Sequence, residues 1–173
     1  MFKNITAGAL LTGVAYQAST WNDCNHETDV NDGPFGPINF YNGTTTEGHP
    51  VYGWLPTRDS DHQKFPLIGF MHGSTGQWEF YDDILKHYSS HGFVVVFPFV
   101  KSPEKDKNPF TTNTDGSILV QGIEWAKAAN KDSSSPLFGM IDEDNLVIAG
   151  HSMGATDSIM ASKTLDPAKL TVT

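Results

Sequence analysis

Three short apolar runs, almost uninterrupted by polar residues, constrain the fold of this chain most strongly. They are Phe65–Gly73, Phe93–Val100 and Leu146–Gly150. Strands buried on both faces of a parallel sheet have such sequences, whereas half-exposed strands alternate apolar and polar residues. Two shorter strands, Ile38–Gly43 and His49–Pro56, come first and are joined by a Thr- and Gly-containing turn. The chain is therefore expected to build a mainly parallel sheet.

Amphipathic stretches follow the apolar runs and predict three helices. The first, Glu79–Gly92, ends at a glycine, the second is capped at Thr114 or Asp115, and the third begins at Ala155. Alternating strands and helices predict an α/β fold with helices on both faces of the sheet. The polar stretch Lys131–Asn145 is expected to be a loop. The residues expected to face the core are Phe80, Ile84, Leu85 and Tyr88 in the first helix, Ile118, Leu119, Ile123 and Trp125 in the second, and Ile159, Met160 and Leu165 in the third.

Composition and charge argue against several classes of partner. Of the 173 residues, 38% are hydrophobic and 18% are charged, which is typical of a folded domain. The net charge of −9, without any basic cluster, argues against binding to nucleic acid or to an anionic membrane surface. No apolar run reaches the roughly 18 residues of a membrane span. The oligomeric state is left open.

The N-terminal residues have the pattern of a targeting segment. In residues 1–18, Lys3 supplies a positive charge and weakly apolar, small residues follow, as in a secretory signal peptide. A secreted protein is therefore expected, and a cytoplasmic protein with a frayed apolar N-terminus is the alternative. Residues 19–37 are polar and rich in turn formers, and are interpreted as a lead-in to a domain over residues 38–173.

Two further features bear on the cellular compartment. Cys24 is the only cysteine. It is either an incidental thiol or one half of a disulfide whose partner is absent from this chain. Asn42-Gly43-Thr44 is a glycosylation sequon that is usable only in a secretory pathway.

The stretch from Gly150 to Gly154 has the pattern G-x-S-x-G, with Ser152 at its centre. It lies where an apolar strand must turn sharply into a helix. Such a turn strains the serine backbone and exposes the hydroxyl, and it requires small residues two positions before and after the serine. Ser152 is therefore the candidate nucleophile. The alternative is an ordinary strand-to-helix turn with a capping serine.

A serine that attacks a carbonyl also needs preformed N–H donors for the developing oxyanion. One donor in this arrangement is the residue after the serine, here Met153, and the other comes from the loop after the third strand. That loop begins at His72-Gly73, so Ser74 is the candidate for the second donor. Only its backbone is required. The alternative is a flexible glycine-rich turn without this role.

Three blocks resemble the α/β-hydrolase superfamily, and more narrowly its dienelactone-hydrolase-like branch. That branch holds bacterial cutinases, polyester hydrolases and chlorophyllase-like esterases. The blocks occur in the family's order between about residues 65 and 165. They are HGSTGQW with SSHGFVVVFPF, then DGSILVQGIEWAKAAN, then SSSPLFGMIDEDNLVIAGHSMGA. The resemblance implies an α/β-hydrolase fold, of which this chain would form the N-terminal part, through the elbow helix.

The resemblance also implies roles for individual residues. Ser152 would be the nucleophile, and Met153 and Ser74 would be the oxyanion donors. His151 and Met153 would flank the substrate cleft. His72 and Trp78 are expected at the cleft because they lie in or next to the oxyanion loop in sequence. Polyester hydrolases have an aromatic residue where Ser74 stands, so the departure argues against a polyester substrate more than against ester hydrolysis in general. Trp78 is the candidate to replace that aromatic group.

The partners that would activate the serine are missing from the sequence. A histidine must accept the serine proton and an acid must orient that histidine, and in this fold both follow the serine in the chain. After Ser152 the acids are Asp157, expected to point along the helix, and Asp166, expected to end it; no histidine follows. The resemblance places an Asp and then a His roughly 50–90 residues beyond.

The seven histidines all precede or adjoin the serine. His151 is expected to be aimed away from the serine oxygen, and His72 is expected to support the oxyanion loop. The remaining histidines are His26, His49, His62, His87 and His91.

The expected edge of the sheet points in the same direction as the missing triad residues. No strand is expected to pair with Leu146–Gly150, which would leave a long apolar edge. The hypothesis is that the chain is the N-terminal part of a hydrolase.

The favoured function is a serine-dependent carboxylic-ester hydrolase that acts through an acyl-enzyme on Ser152 and is incomplete in this chain. Its substrate is expected to be a small-molecule or polymeric ester, and no cofactor or metal is expected. The alternative is a noncatalytic hydrolase-like module that binds an ester, a lipid or a partner chain. A third reading is acyl transfer to an acceptor other than water.

Overall fold

The computed structural model describes residues 32–74, 76–100 and 115–172. The predicted signal peptide over residues 1–18 lies outside these residues. So do Cys24, His26 and the first part of the predicted lead-in, up to residue 31. Asn42 of the sequon is exposed on the first strand.

The described residues form a sheet of six strands. They are β1 (Asn39–Thr44), β2 (Pro50–Leu55), β3 (Phe65–Met71), β4 (Val94–Pro98), β5 (Ile141–Gly150) and β6 (Leu170–Val172). Their order across the sheet is β1-β2-β4-β3-β5-β6. The pairs β1–β2 and β2–β4 are antiparallel, whereas β4, β3, β5 and β6 run parallel to one another. The predicted mainly parallel sheet is therefore confirmed.

In the described part of the chain three α-helices cover the sheet, and they lie on both of its faces as predicted. They are α1 (Asp82–Ser90), α2 (Ser117–Lys131) and α3 (Met153–Ala161). The strand β4 shows how one sheet serves two cores, because its residues alternate between them. Val94 and Val96 join the core formed with α2 and α3, whereas Val95 and Phe97 join the core formed with α1.

Two expectations about the parallel strands are wrong. The predicted loop Lys131–Asn145 is too long, because its last five residues belong to β5, which begins at Ile141 and pairs there with Phe65 of β3; residues 132–140 do form turns. The other error concerns the edge of β5. Leu170 and Thr171 of β6 pair parallel with Leu146 and Val147, so β5 is not the edge strand.

Helical periodicity predicted the buried faces of the helices only in part. Leu85, Ile118, Leu119 and Ile123 are buried as expected. Three residues expected to be inward are exposed: Phe80 at 76%, Ile84 at 44% and Ile159 at 59%. The reason at Phe80 is that the segment Trp78–Phe80 forms a separate 3₁₀ turn, and α1 begins only at Asp82. The N-cap of α2 is Gly116, whose φ of 78° suits glycine, rather than Thr114 or Asp115.

Among the described residues, no helix combines the length and the apolar sequence that crossing a membrane requires.

Candidate active site

The strand β5 passes into α3 through one strained residue. Ser152 has φ 56° and ψ −119°, and it is the only non-glycine residue with positive φ in the described part of the chain. A side chain at such a φ clashes with its own backbone, at a cost of about 1–3 kcal/mol. Its side chain is exposed at the carboxyl edge of the sheet. This is the backbone geometry of a nucleophile elbow.

The two flanking glycines make this turn sterically feasible. A Cβ atom on Gly150 would overlap the backbone of Gly154, and a Cβ atom on Gly154 would overlap the carbonyl oxygen of Met71. Because both contacts are with backbone, no side-chain rotation would relieve them. The predicted need for small residues at both positions is confirmed. The turn is also tied to β3, since the His151 N–H donates to the Met71 carbonyl at 3.1 Å.

The loop after β3 lies directly against the elbow. A Cβ atom on Gly73 would stand 3.0 Å from Nδ1 of His151 and 3.3 Å from Cβ of Ser152. A larger residue here would therefore push the loop or the elbow aside by a few tenths of an ångström. Ser74 follows Gly73 and borders the same space as Ser152. The close approach brings the two predicted sources of oxyanion donors to one edge of the sheet.

Ser74, His151 and Ser152 share an open cleft of about 490 Å³. Gly73 and Gly76 form part of its lining, and Phe80 and Tyr81 supply its aromatic surface. The ring of Phe80 is 76% exposed, which leaves an apolar face beside the serine. The two rings make up much of the apolar part of the lining, and the side chains of Ser74, His151 and Ser152 make up much of its polar part.

Tyr81 joins the loop to the elbow through its hydroxyl group. The Gly73 N–H donates to Oη of Tyr81 at 3.1 Å, and the same oxygen is 3.0 Å from Nδ1 of His151. Because the hydroxyl accepts from Gly73, its own proton is free to be donated to His151. His151 thus uses one ring nitrogen on Tyr81, consistent with the expectation that it is aimed away from the serine oxygen.

His72 does not line the cleft, which corrects one expectation. Its side chain is 3% exposed, and its ring lies against Phe97 and Phe99. Nδ1 is 2.6 Å from the Gly73 carbonyl oxygen and Nε2 accepts from the Val100 N–H at 3.3 Å. Burial lowers the pKa of His72 below its ordinary value, against the weaker opposite effect of the Gly73 bond. A neutral ring with both nitrogens engaged supports the loop, as the sequence also suggested.

Trp78 is the second expected cleft residue that the structure places elsewhere. Its ring lies 5.0 Å from Phe40, 5.6 Å from Tyr52 and 6.1 Å from Trp54, in an aromatic cluster over β1 and β2. Phe80, two residues later, occupies the cleft instead. Met153, the first residue of α3, is half-buried and is not among the residues that line the cleft.

Asp157 is buried in α3 without a hydrogen bond of good geometry to either carboxyl oxygen. Burial raises its pKa to about 6; the nearby Gly116 N–H acts in the opposite direction, and the charge of Asp115 raises the pKa further. The residue lies against the start of α2 and does not line the cleft. It is therefore badly placed to orient a catalytic histidine.

Phe80 and Tyr81 are the site residues that sequence reasoning missed. Both were treated only as parts of an amphipathic helix. A usable signal was their position just after the loop that follows β3, because ligands of open α/β sheets bind beyond the carboxyl ends of the strands. No cluster of three or more metal-ligating side chains is present among the described residues.

Comparisons with known proteins agree with this geometry. Chlorophyllase-1 of Arabidopsis thaliana is 27% identical over 138 residues, which cover 78% of this chain and 40% of that protein. The chain thus spans well under half the length of the curated relative that it matches. A family model described as Chlorophyllase matches residues 37–171, far more than half of the chain. The chain belongs to the chlorophyllase family, whose members are esterases of the α/β-hydrolase type.

Proposed function

We propose that this chain carries the nucleophile and the oxyanion hole of a carboxylic-ester hydrolase. The observation that supports this proposal most strongly is the backbone of Ser152, whose φ of 56° is held at the junction of β5 and α3 beside an open cleft. A strained residue persists only where the surrounding structure enforces it, and such strain is concentrated at functional sites. Family membership supports the same reaction class.

The first half of the proposed reaction transfers the acyl group to the protein. Oγ of Ser152 attacks the ester carbonyl carbon and loses its proton to a base, and the carbonyl oxygen becomes an oxyanion. The N–H groups of Met153 and Ser74 would bind that oxyanion, each worth about 3–4 kcal/mol in the transition state. The N-terminus of α3 adds positive potential at the same place. The alcohol then departs with a proton and leaves an acyl-serine.

In the second half, water attacks the acyl carbon through the same oxyanion. The C–O bond to Ser152 breaks, the carboxylic acid leaves, and the hydroxyl group regains its proton. Acyl transfer to a different acceptor would use the same groups, so water is the assumed acceptor because the family is one of esterases.

The described histidines near the elbow are poorly suited to be the base. His72 is buried with both ring nitrogens engaged, and His151 is bonded to Tyr81 through Nδ1. We therefore expect that another histidine, with its acid, completes the site. The hypothesis that these partners lie in sequence beyond this chain stays a prediction.

The cleft favours neutral, apolar esters. Phe80 presents its ring to the cleft, and the net charge of −9 disfavours anionic substrates through its overall field. The name of the Arabidopsis relative points to chlorophyll, which is a hydrophobic ester, and chlorophyll is therefore one substrate to assay beside simple p-nitrophenyl esters. A polyester substrate stays a weaker candidate because a serine occupies position 74.

A fluorophosphonate probe tests the proposal. The experiment uses the protein as cells produce it, including any sequence that accompanies these residues. The probe should label the protein, and Ser152→Ala should abolish both labelling and hydrolysis of p-nitrophenyl butyrate. Ser133→Ala is the matched control, because Ser133 is exposed in the loop before β5 and should leave both unchanged. A correctly folded protein that binds the ester but is never labelled would instead support the noncatalytic module.

A further inference from the structure

We propose that Tyr81 is a positioning residue that holds the two halves of the oxyanion hole in register. This inference rests on the proposed function and adds a residue to it. The halves come from different parts of the chain, namely the loop after β3 and the elbow after β5. Tyr81 is hydrogen-bonded to both, through Gly73 on one side and His151 on the other.

The two hydrogen bonds of Tyr81 meet at one oxygen atom. A backbone N–H can only donate, so Oη of Tyr81 accepts from Gly73 over 3.1 Å. The same oxygen lies 3.0 Å from Nδ1 of His151. A hydroxyl group has one proton and a second acceptor lone pair, so it bonds to Nδ1 in either tautomer of the histidine. Tyr81 therefore links Gly73 to His151 whichever of the two groups donates.

Each residue that Tyr81 links is next in sequence to a proposed functional group. Gly73 precedes Ser74, whose N–H has no hydrogen-bond partner among the described residues. His151 precedes Ser152, which is followed by Met153, the other proposed oxyanion donor. A shift of the loop against the elbow would change the separation of the two donors, and displacements near 1 Å at such sites can cost roughly 100-fold in rate. A direct link between the two segments resists that shift.

The tyrosine ring is itself held firmly enough to serve as a link. Its centroid lies 5.3 Å from that of Phe70 and 5.5 Å from that of Phe97, in the core between the sheet and α1. On the outer side Gly76 leaves no spare room, because a Cβ atom there would lie 2.5 Å from Oη of Tyr81. The hydroxyl position is therefore set by packing on both sides.

The effect should fall on the transition state. The oxyanion exists only after the nucleophile attacks, so donors that are misplaced weaken the transition state more than substrate binding. Tyr81→Phe removes one oxygen and keeps the ring. We expect kcat to fall about 10- to 100-fold with KM changed by less than about threefold. Tyr88→Phe is the matched control: Tyr88 packs in the same core from α1 and does not line the cleft.

A spectroscopic readout separates this role from a general loss of structure. In nitrogen-15 NMR the Nδ1 resonance of the His151 ring should shift in Tyr81→Phe, because Nδ1 loses its hydrogen bond to the hydroxyl group. Tyr88→Phe should leave this resonance at its native position. An unchanged Nδ1 resonance in Tyr81→Phe would overturn the proposal, because it requires the bond to His151.

A second variant tests the coupling. His151→Phe removes the hydrogen-bonding group at the other end of the link and should lower kcat by a similar factor. The double variant with Tyr81→Phe should then be no slower than either single variant, because the same link is already broken. Fully multiplicative losses would overturn the proposal. If the native protein is not labelled at Ser152, the proposed function fails; if it is labelled and Tyr81→Phe keeps its kcat, only the role of Tyr81 fails.

Discussion

Gly154 packs so closely on Met71 that a methyl group at position 154 would overlap the Met71 carbonyl oxygen. The first turn of α3 is thereby fixed against the end of β3. We predict that Gly154→Ala lowers the free energy of unfolding by about 3 kcal/mol, because the overlapped atom belongs to the backbone. Urea denaturation measures the loss. Gly53→Ala is the control, since its nearest contact would be an ordinary 3.5 Å, and it should change stability little.

The strained backbone of Ser152 predicts a difference in stability between two variants at this position. The backbone angles of Ser152 are roughly the mirror image of an ordinary extended conformation, which glycine adopts at little cost. Ser152→Gly should therefore be more stable than Ser152→Ala by about 1–2 kcal/mol, although both lack the proposed nucleophile. Thermal unfolding of the two variants compares them. Equal stability would mean that the turn is not strained.

Asp157 predicts a pH dependence of stability. Its pKa in the folded protein, about 6, lies above the ordinary value of 3.8, so the folded state binds its proton more tightly than the unfolded state. The stabilising contribution of the protonated Asp157 to the free energy of unfolding is thus fully present below about pH 4. As the pH rises through 6 this contribution is lost, and the free energy of unfolding falls by on the order of 2 kcal/mol.

Asp157→Asn should remove this loss, because asparagine has no charge to bury. The free energy of unfolding of the variant should rise relative to the native protein between pH 4.5 and pH 7.5. Asp61→Asn, at an exposed acid, is the control and should follow the native curve. Parallel pH profiles for the native protein and Asp157→Asn would contradict the assignment.

The position of Phe80 in the cleft predicts a preference for esters with longer acyl groups. The side chain is largely exposed and lines the cleft, so we expect it to contribute more to substrate binding than to stability. Phe80→Ala should lower kcat/KM for p-nitrophenyl butyrate about tenfold and for p-nitrophenyl acetate less. The reason is that the longer acyl group would make more apolar contact with the ring. Phe138→Ala, at another exposed phenylalanine outside the cleft, should leave both values unchanged. Equal losses for both esters would argue against an acyl-binding role.

The sequence was sufficient to predict the parts of the fold that depend on local pattern. Apolar runs marked β3, β4 and β5, and the spacing of Gly150 and Gly154 predicted the sharp turn, because only close backbone contacts require glycine there. The strand β6 was missed because three residues are too few to show a period, and their pairing with β5 is a long-range contact.

Side-chain placement was harder to predict. Phe80 fits a helical stripe in sequence, and only the separate 3₁₀ turn before α1 moves it into the cleft. Tyr81 showed no motif, because its bonds to Gly73 and His151 join residues that are 8 and 70 positions away. His72 was placed at the cleft by proximity in sequence, whereas its ring turns inward to Phe97. Such directions depend on tertiary packing.

Trapping the acyl-enzyme tests the central claim most directly. The native protein, as cells produce it, is mixed with p-nitrophenyl butyrate, quenched in acid within seconds and digested for peptide mass spectrometry. The account predicts one butyryl group on Ser152, and none in Ser152→Ala, while Ser133→Ala is acylated like the native protein. Hydrolysis that proceeds with Ser152 unmodified, or that survives Ser152→Ala, would contradict it.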